Sequence, residues 1–130
     1  MPIWGAIALG GALGALSRWL VGEFFTGVFG SFGGFPWPTF AVNVVGCALI
    51  GFLAPVLIGR ATWVARFTIT GFLGGFTTYS AFAEETFLLL DRGDSAGLLL
   101  AGVYVVATIG ATSAAVAIGA RLAPAREGTP

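Results

Sequence analysis

Gly71-Phe72-Leu73-Gly74-Gly75-Phe76-Thr77-Thr78-Tyr79-Ser80-Ala81-Phe82 lies in the middle of an uncharged run covering residues 67–83. The run is long enough to cross much of a bilayer, yet its centre is glycine, threonine and serine. Lipid offers no partner to backbone N–H and C=O groups. Broken or polar backbone at membrane depth is tolerated only where protein buries it or where it lines a wet cavity. The stretch therefore predicts a membrane helix broken at its centre, with exposed carbonyls and hydroxyls put to use.

Outward from this stretch the chain stays apolar. Its 130 residues are 57% hydrophobic and 9% charged, with a mean hydropathy of +0.95. A soluble domain carries charge on about a quarter of its residues, so the composition indicates an all-α membrane protein. Six arginines balance six carboxylates, and there is no lysine or histidine. Without a basic patch, a nucleic-acid partner is not expected. The single cysteine, Cys47, excludes an internal disulfide and a thiolate metal cluster. Lack of histidine removes the usual general base and the commonest metal ligand. The N-terminus has no positively charged n-region, so the first apolar segment is expected to be a retained membrane helix rather than a cleaved signal.

Charges and turn residues divide the chain into four transmembrane segments, at residues 4–22, 37–59, 62–90 and 95–120. Spanning takes roughly 20 apolar residues; the third segment meets this as two half-helices. Residues 26–34 read as a glycine-rich connector. Pro36 and Pro38 suit a helix start. Residues 1–123 form a single four-helix domain, and 124–130 a short polar tail. Trp4, Trp19, Trp37 and Trp63 fall near expected helix ends, where an interfacial aromatic belt belongs. Four crossings put Arg60, Arg66, Arg121 and Arg126 on one side and Arg92 on the other, with Arg18 towards the second. Positive-inside counting then places both termini in the cytoplasm.

Several helix faces carry chemistry. Ala6, Gly10, Gly14 and Arg18 recur every four residues, a small-residue stripe that lets helices approach closely. In the last segment Tyr104, Thr108 and Thr112 share one face. That line reads as a polar pathway; the alternative is that Thr108 and Thr112 bond back to their own helix carbonyls. Asn43, the only asparagine, has Thr39 one turn before it. Its amide either holds the bundle together or offers donors to a passing anion, and residue type leaves both open. Arg18 is the charge deepest in the first segment, either functional or snorkelling beside Trp19. Glu84 and Glu85 fall late in the third segment.

These residues carry a family likeness that extends over nearly the whole chain. Gly11-Ala12-Leu13-Gly14-Ala15-Leu16-Ser17-Arg18, Thr39-Phe40-Ala41-Val42-Asn43-Val44-Val45-Gly46 and the broken-helix stretch occur in order on a four-helix chain. The chain resembles the Fluc/CrcB family of fluoride channels. The resemblance implies an antiparallel, dual-topology homodimer in the cell inner (plasma) membrane, with two fluoride pathways. It also implies a central structural sodium ion held by backbone carbonyls, here those of Gly74 and Thr77. The implied pathway comprises Asn43, Tyr79, Ser80, Phe82, Tyr104, Thr108, Thr112, Thr39, Arg18 and Glu85. An amide and hydroxyls would replace the water of a strongly hydrated anion. Aromatic edges, which are positive, would touch it at Tyr79 and Phe82 without holding it tightly. Arg18 would concentrate anions at an entrance.

Three features depart from the family pattern. Tyr79 stands where the family often has phenylalanine, and Ala81 where it often has threonine. The arginine bias suits one fixed orientation, which makes an oppositely oriented paralogue the alternative partner. Rival functions fit less well. A small four-helix multidrug-type exporter needs a carboxylate deep in the first segment, where this chain has Arg18. A non-transporting membrane assembly subunit explains the small-residue stripes but not the polar line and the break. An intramembrane enzyme lacks an evident catalytic pair.

Overall fold

Every described element of the computed structural model is helical. It describes residues 2–29 and 34–124. Helix α1 is Ile3–Phe29, α2 is Trp37–Leu57 and α6 is Ser95–Leu122. These three are long and apolar enough to cross a membrane. Between α2 and α6 the chain runs as a jointed column: α3 (Thr62–Ala65), a π-helical segment (Arg66–Leu73), α4 (Gly74–Phe76) and α5 (Tyr79–Asp91). The expected break is present, at Thr77 and Thr78, which belong to no helix.

Local chemistry sets the ends. Pro38 sits in the first turn of α2, where a missing N–H costs nothing. Gly59 and Gly93 take positive φ, 88° and 70°, at the two tight turns after α2 and α5. The Asp94 side chain accepts the Gly97 N–H at 2.7 Å and starts α6.

One boundary differs from expectation in a way that matters. The first helix does not stop at residue 22 but continues through Glu23 and Thr26 to Phe29. Thr26 bonds back to the Gly22 carbonyl at 2.9 Å, so a residue expected in a connector extends the helix. Residues 30–33 of that connector lie outside the described residues, as do 125–130 of the expected tail. Arg18 and Trp19 consequently lie mid-helix rather than near its end. Trp19 is not at an interface by helix position, whereas Trp4, Trp37 and Trp63 stay at helix starts.

Packing relies on backbone approach. A Cβ at Gly10 would strike the Phe67 carbonyl, and one at Gly14 the Phe72 carbonyl. From the other side, Gly71 faces the Ile7 carbonyl and Gly75 the Gly11 carbonyl. Thus α1 lies flush against the first half of the jointed column. Gly51 and Gly119 join α2 to α6 similarly, against the carbonyls of Val116 and Ala48. Such contacts supply van der Waals packing where the hydrophobic effect offers no drive between helices. A small core surrounds fully buried Tyr104, with Leu89, Ala101 and the rings of Phe35, Phe40 and Phe82. Only 17–22% of each spanning window is buried within the chain, so most apolar surface is left for lipid or another subunit.

Candidate ion pathway

At the break, side chains replace the lost helical bonds. Thr78 is extended (φ −146°, ψ 123°) and caps α5, its Oγ1 accepting the Ala81 N–H at 3.2 Å. Its own backbone is held by Asn43 of α2. Asn43 Oδ1 accepts the Thr78 N–H at 2.7 Å, and Asn43 Nδ2 donates to the Thr78 carbonyl at 2.9 Å. One turn along α2, Gly46 makes room for the Thr77 methyl.

The carbonyls ending the first half-helix divide into two groups. That of Leu73 accepts both the Thr77 N–H (3.0 Å) and the Thr77 hydroxyl (2.9 Å). That of Gly75 accepts Arg18 Nε at 3.3 Å. In a continuous helix the carbonyls of Gly74 and Thr77 would take the N–H groups of Thr78 and Ala81. Here those donors go to Asn43 and to Thr78 Oγ1. Neutral oxygens are thus released at the break, and Gly74 itself is exposed.

Two grooves meet at Thr78, which lines both. The first, about 310 Å³, holds Arg18, Trp19, Glu23, Thr39 and Glu85. Glu85 is doubly anchored: Thr39 donates to Oε1 and Tyr104 to Oε2, both at 2.6 Å. Both lengths suit charge-assisted O–H···O bonds. The carboxylate thereby ties α5 to α2 and α6. The second groove, about 480 Å³, is lined by Asn43, Cys47, Thr77, Tyr79, Phe82, Thr108 and Thr112, among others, with no charged residue. Phe82 lies 5.2 Å from the Tyr104 ring and 5.9 Å from that of Tyr79, tilted to both. Tyr79 is 80% exposed.

The two threonines of α6 differ. Thr112 makes the back-bond, donating to the Thr108 carbonyl at 2.7 Å. Thr108 does not; its buried Oγ1 has no hydrogen-bond partner. Ser80 shares a 3.2 Å bond with Thr78 Oγ1, so one proton of that pair stays free. Asn43 Nδ2 has a second N–H beyond the one given to Thr78. The structure therefore brings Asn43, Tyr79, Phe82, Thr108 and Thr112 to one groove and Arg18, Thr39 and Glu85 to the other. Tyr104 packs against Phe82 and reaches Glu85. Sequence reasoning missed Thr78, the joint between the grooves. A threonine immediately before a helix restart was the available signal.

Residues 5–120 match the family described as CrcB-like protein, Camphor Resistance (CrcB). The chain belongs to the CrcB family. Its CrcB relatives include the fluoride-specific ion channel FluC of Rhizobium leguminosarum bv. trifolii (strain WSM2304), 43% identical over 116 residues, covering 87% of this chain and 89% of the relative. The protein of the same name from Erythrobacter litoralis (strain HTCC2594) is 41% identical over 122 residues, 89% of this chain and 88% of its own. A third, from Sphingopyxis alaskensis, is 43% identical over 106 residues, 79% of this chain and 80% of its own. This CrcB chain thus aligns over most of its length with relatives named as ion channels.

Proposed function

We propose that this chain is a passive fluoride-specific channel of the cell inner (plasma) membrane that lets cytoplasmic fluoride leave. The observation that carries the reading is the donor set of the second groove. Thr108 and Asn43 supply unused protons along a wall free of charged groups, and Thr78, whose hydroxyl pairs with that of Ser80 outside the groove lining, stands beside them. Neutral donors in series replace hydration without a deep well, as conduction requires. Arg18 raises anion concentration at the first groove. Hydrogen fluoride, a neutral weak acid, crosses membranes and dissociates in a more alkaline cytoplasm. A passive exit lowers the trapped anion without nucleotide chemistry.

The low burial of each span leaves surface for a second subunit, and we read the assembly as an antiparallel, dual-topology homodimer with two pathways. The neutral carbonyls of Gly74 and Thr77 suit a hard cation such as sodium. Among the described residues no cluster of carboxylates or thiols offers a rival metal site. These two residues would hold the ion, which supplies a fixed positive charge between subunits. A second reading of the partner rests on charge: Arg60, Arg66 and Arg121 share one end of the bundle, a bias that suits one orientation and an oppositely oriented paralogue.

Efflux from proteoliposomes tests the function. Liposomes loaded with potassium fluoride or potassium chloride, with valinomycin present, should release fluoride fast and chloride negligibly. Equal release of both anions refutes fluoride specificity. Release of neither from the chain alone, but of fluoride after co-expression with an opposite-orientation paralogue, refutes the homodimer.

A further inference from the structure

Among the described residues, charge has one sign at the end of the bundle where α2 stops and α3 begins. Arg60, Arg66 and Arg121 lie there, whereas the carboxylates among the described residues (Glu23, Glu84, Glu85, Asp91 and Asp94) all belong to the opposite half. A cleft of about 180 Å³ opens at this end between α2 and the π-helical segment. Leu57, Ile58, Ala65 and Ile69 form its apolar walls, and Arg66 and Thr70 are its polar groups. Arg66 is exposed and makes no salt bridge among the described residues. Thr70 adds an independent observation. Thr26, Thr86 and Thr112, in α-helical turns, donate to the carbonyl four residues back. Thr70, in the π-helical segment, makes no such bond, and its hydroxyl stays available beside the guanidinium. Trp63, 44% exposed, marks the same end as interfacial.

We propose that this cleft binds the phosphate of an anionic phospholipid, held by the Arg66 guanidinium and the Thr70 hydroxyl. The first acyl methylenes would lie on Leu57, Ile58 and Ile69. Arginine suits phosphate because its planar fork donates two parallel bonds. The apolar walls favour a lipid phosphate over a free one. Arg60 and Arg121 at the same end, with no salt bridge among the described residues, favour a net-negative headgroup over choline or ethanolamine, whose ammonium would face three arginines. Basic pockets between membrane helices bind anionic headgroups on this principle.

Native mass spectrometry of the whole protein, extracted from bilayers of equal phosphatidylglycerol and phosphatidylcholine, tests the site independently of fluoride flux. Wild type should retain phosphatidylglycerol selectively. Arg66→Gln should lower the retained fraction about fivefold, the worth of one arginine at an anionic surface. Thr70→Val, which keeps the charge and the volume, should lower it by a smaller factor. Arg92→Gln, at the opposite end, should leave it unchanged. Equal retention of phosphatidylcholine overturns the proposal, as does an equal loss in Arg92→Gln, which would mark a diffuse charge effect. Displacement of the lipid by millimolar inorganic phosphate overturns it in favour of a soluble-anion site. Should Arg66→Gln fail to fold, unchanged retention in Thr70→Val overturns it.

Discussion

The Asn43 side chain closes both backbone groups of Thr78, accepting its N–H at 2.7 Å and donating to its carbonyl at 2.9 Å. An amide carries its donor and its acceptor on separate atoms, so it can do both at once. It stands in for the peptide unit that the broken helix no longer supplies. This is how the irregular backbone of Thr78 is satisfied in a molecule whose lipid surroundings offer no partner.

Asn43→Leu should therefore destabilise the protein by about 1–3 kcal/mol for each bare Thr78 group. Asn43→Asp keeps the acceptor for the N–H but turns an oxygen towards the carbonyl, so its melting point should fall between the two. Thermal unfolding in detergent reads both. A leucine variant that melts with wild type would mean that the break does not depend on this clamp.

Thr108 and Thr112 share a face but not a role in this geometry. The Thr112 proton is committed to the Thr108 carbonyl, whereas the Thr108 hydroxyl has no partner. Replacing each with isosteric valine should separate them. Fluoride efflux should drop about tenfold in Thr108→Val, the equivalent of one lost donor of ordinary strength. In Thr112→Val it should change by less than about twofold. Equal losses would show that the free proton at Thr108 is not what the anion uses.

Glycine positions make a stability prediction with an internal control. A Cβ at Gly14 meets the Phe72 carbonyl, which is backbone and has no rotamer to change. Gly14→Val should cost more than about 3 kcal/mol, beyond the usual range for overpacking. Gly27 has nothing within 4 Å of the same atom. Gly27→Ala should be neutral or stabilising by up to about 1 kcal/mol, the helix-propensity gain. Comparable expression and melting of the two variants would contradict the flush packing of α1 on the jointed column.

The legible parts of this molecule were those with a one-dimensional signature. Four apolar runs separated by charges gave four helical segments, three of them long and apolar enough to span, and the Gly74–Thr78 stretch gave the break. The stripe of Gly10 and Gly14 pointed to close helix contact without naming the opposing surface, because glycine records that a neighbour is near but not which one. The end of α1 lies beyond the expected residue 22 since threonine, glycine, valine and phenylalanine at 26–29 are poor helix signals, and the Thr26 back-bond decides for helix only in three dimensions. Nor did the sequence reveal that Thr39 and Tyr104, 65 positions apart in the chain, converge on the two oxygens of Glu85. Polar residues on three separate helices have no shared periodicity to reveal such a meeting.

Arg18 combines two functions that substitution can separate. Its charge sits in the first groove with Glu23 and Glu85, and its Nε donates to the Gly75 carbonyl at 3.3 Å, beside the break. Attraction of an anion by a charge is long-range and screened by salt. A hydrogen bond to a carbonyl is neither. Arg18→Lys retains the charge but lacks the rigid planar fork. It should keep fluoride efflux steeper at low ionic strength, while unfolding about 0.5–1.5 kcal/mol more easily through loss of the Gly75 contact. Arg18→Gln should lose the salt dependence itself, with efflux falling most at low ionic strength and converging on wild type at about 1 M salt, where the screening length shrinks to a few ångströms. Efflux rates over a salt series, with melting curves on the same preparations, give both readouts. If the glutamine variant retains the salt dependence of wild type, Arg18 is not the charge that gathers the anion, and its part is confined to holding Gly75.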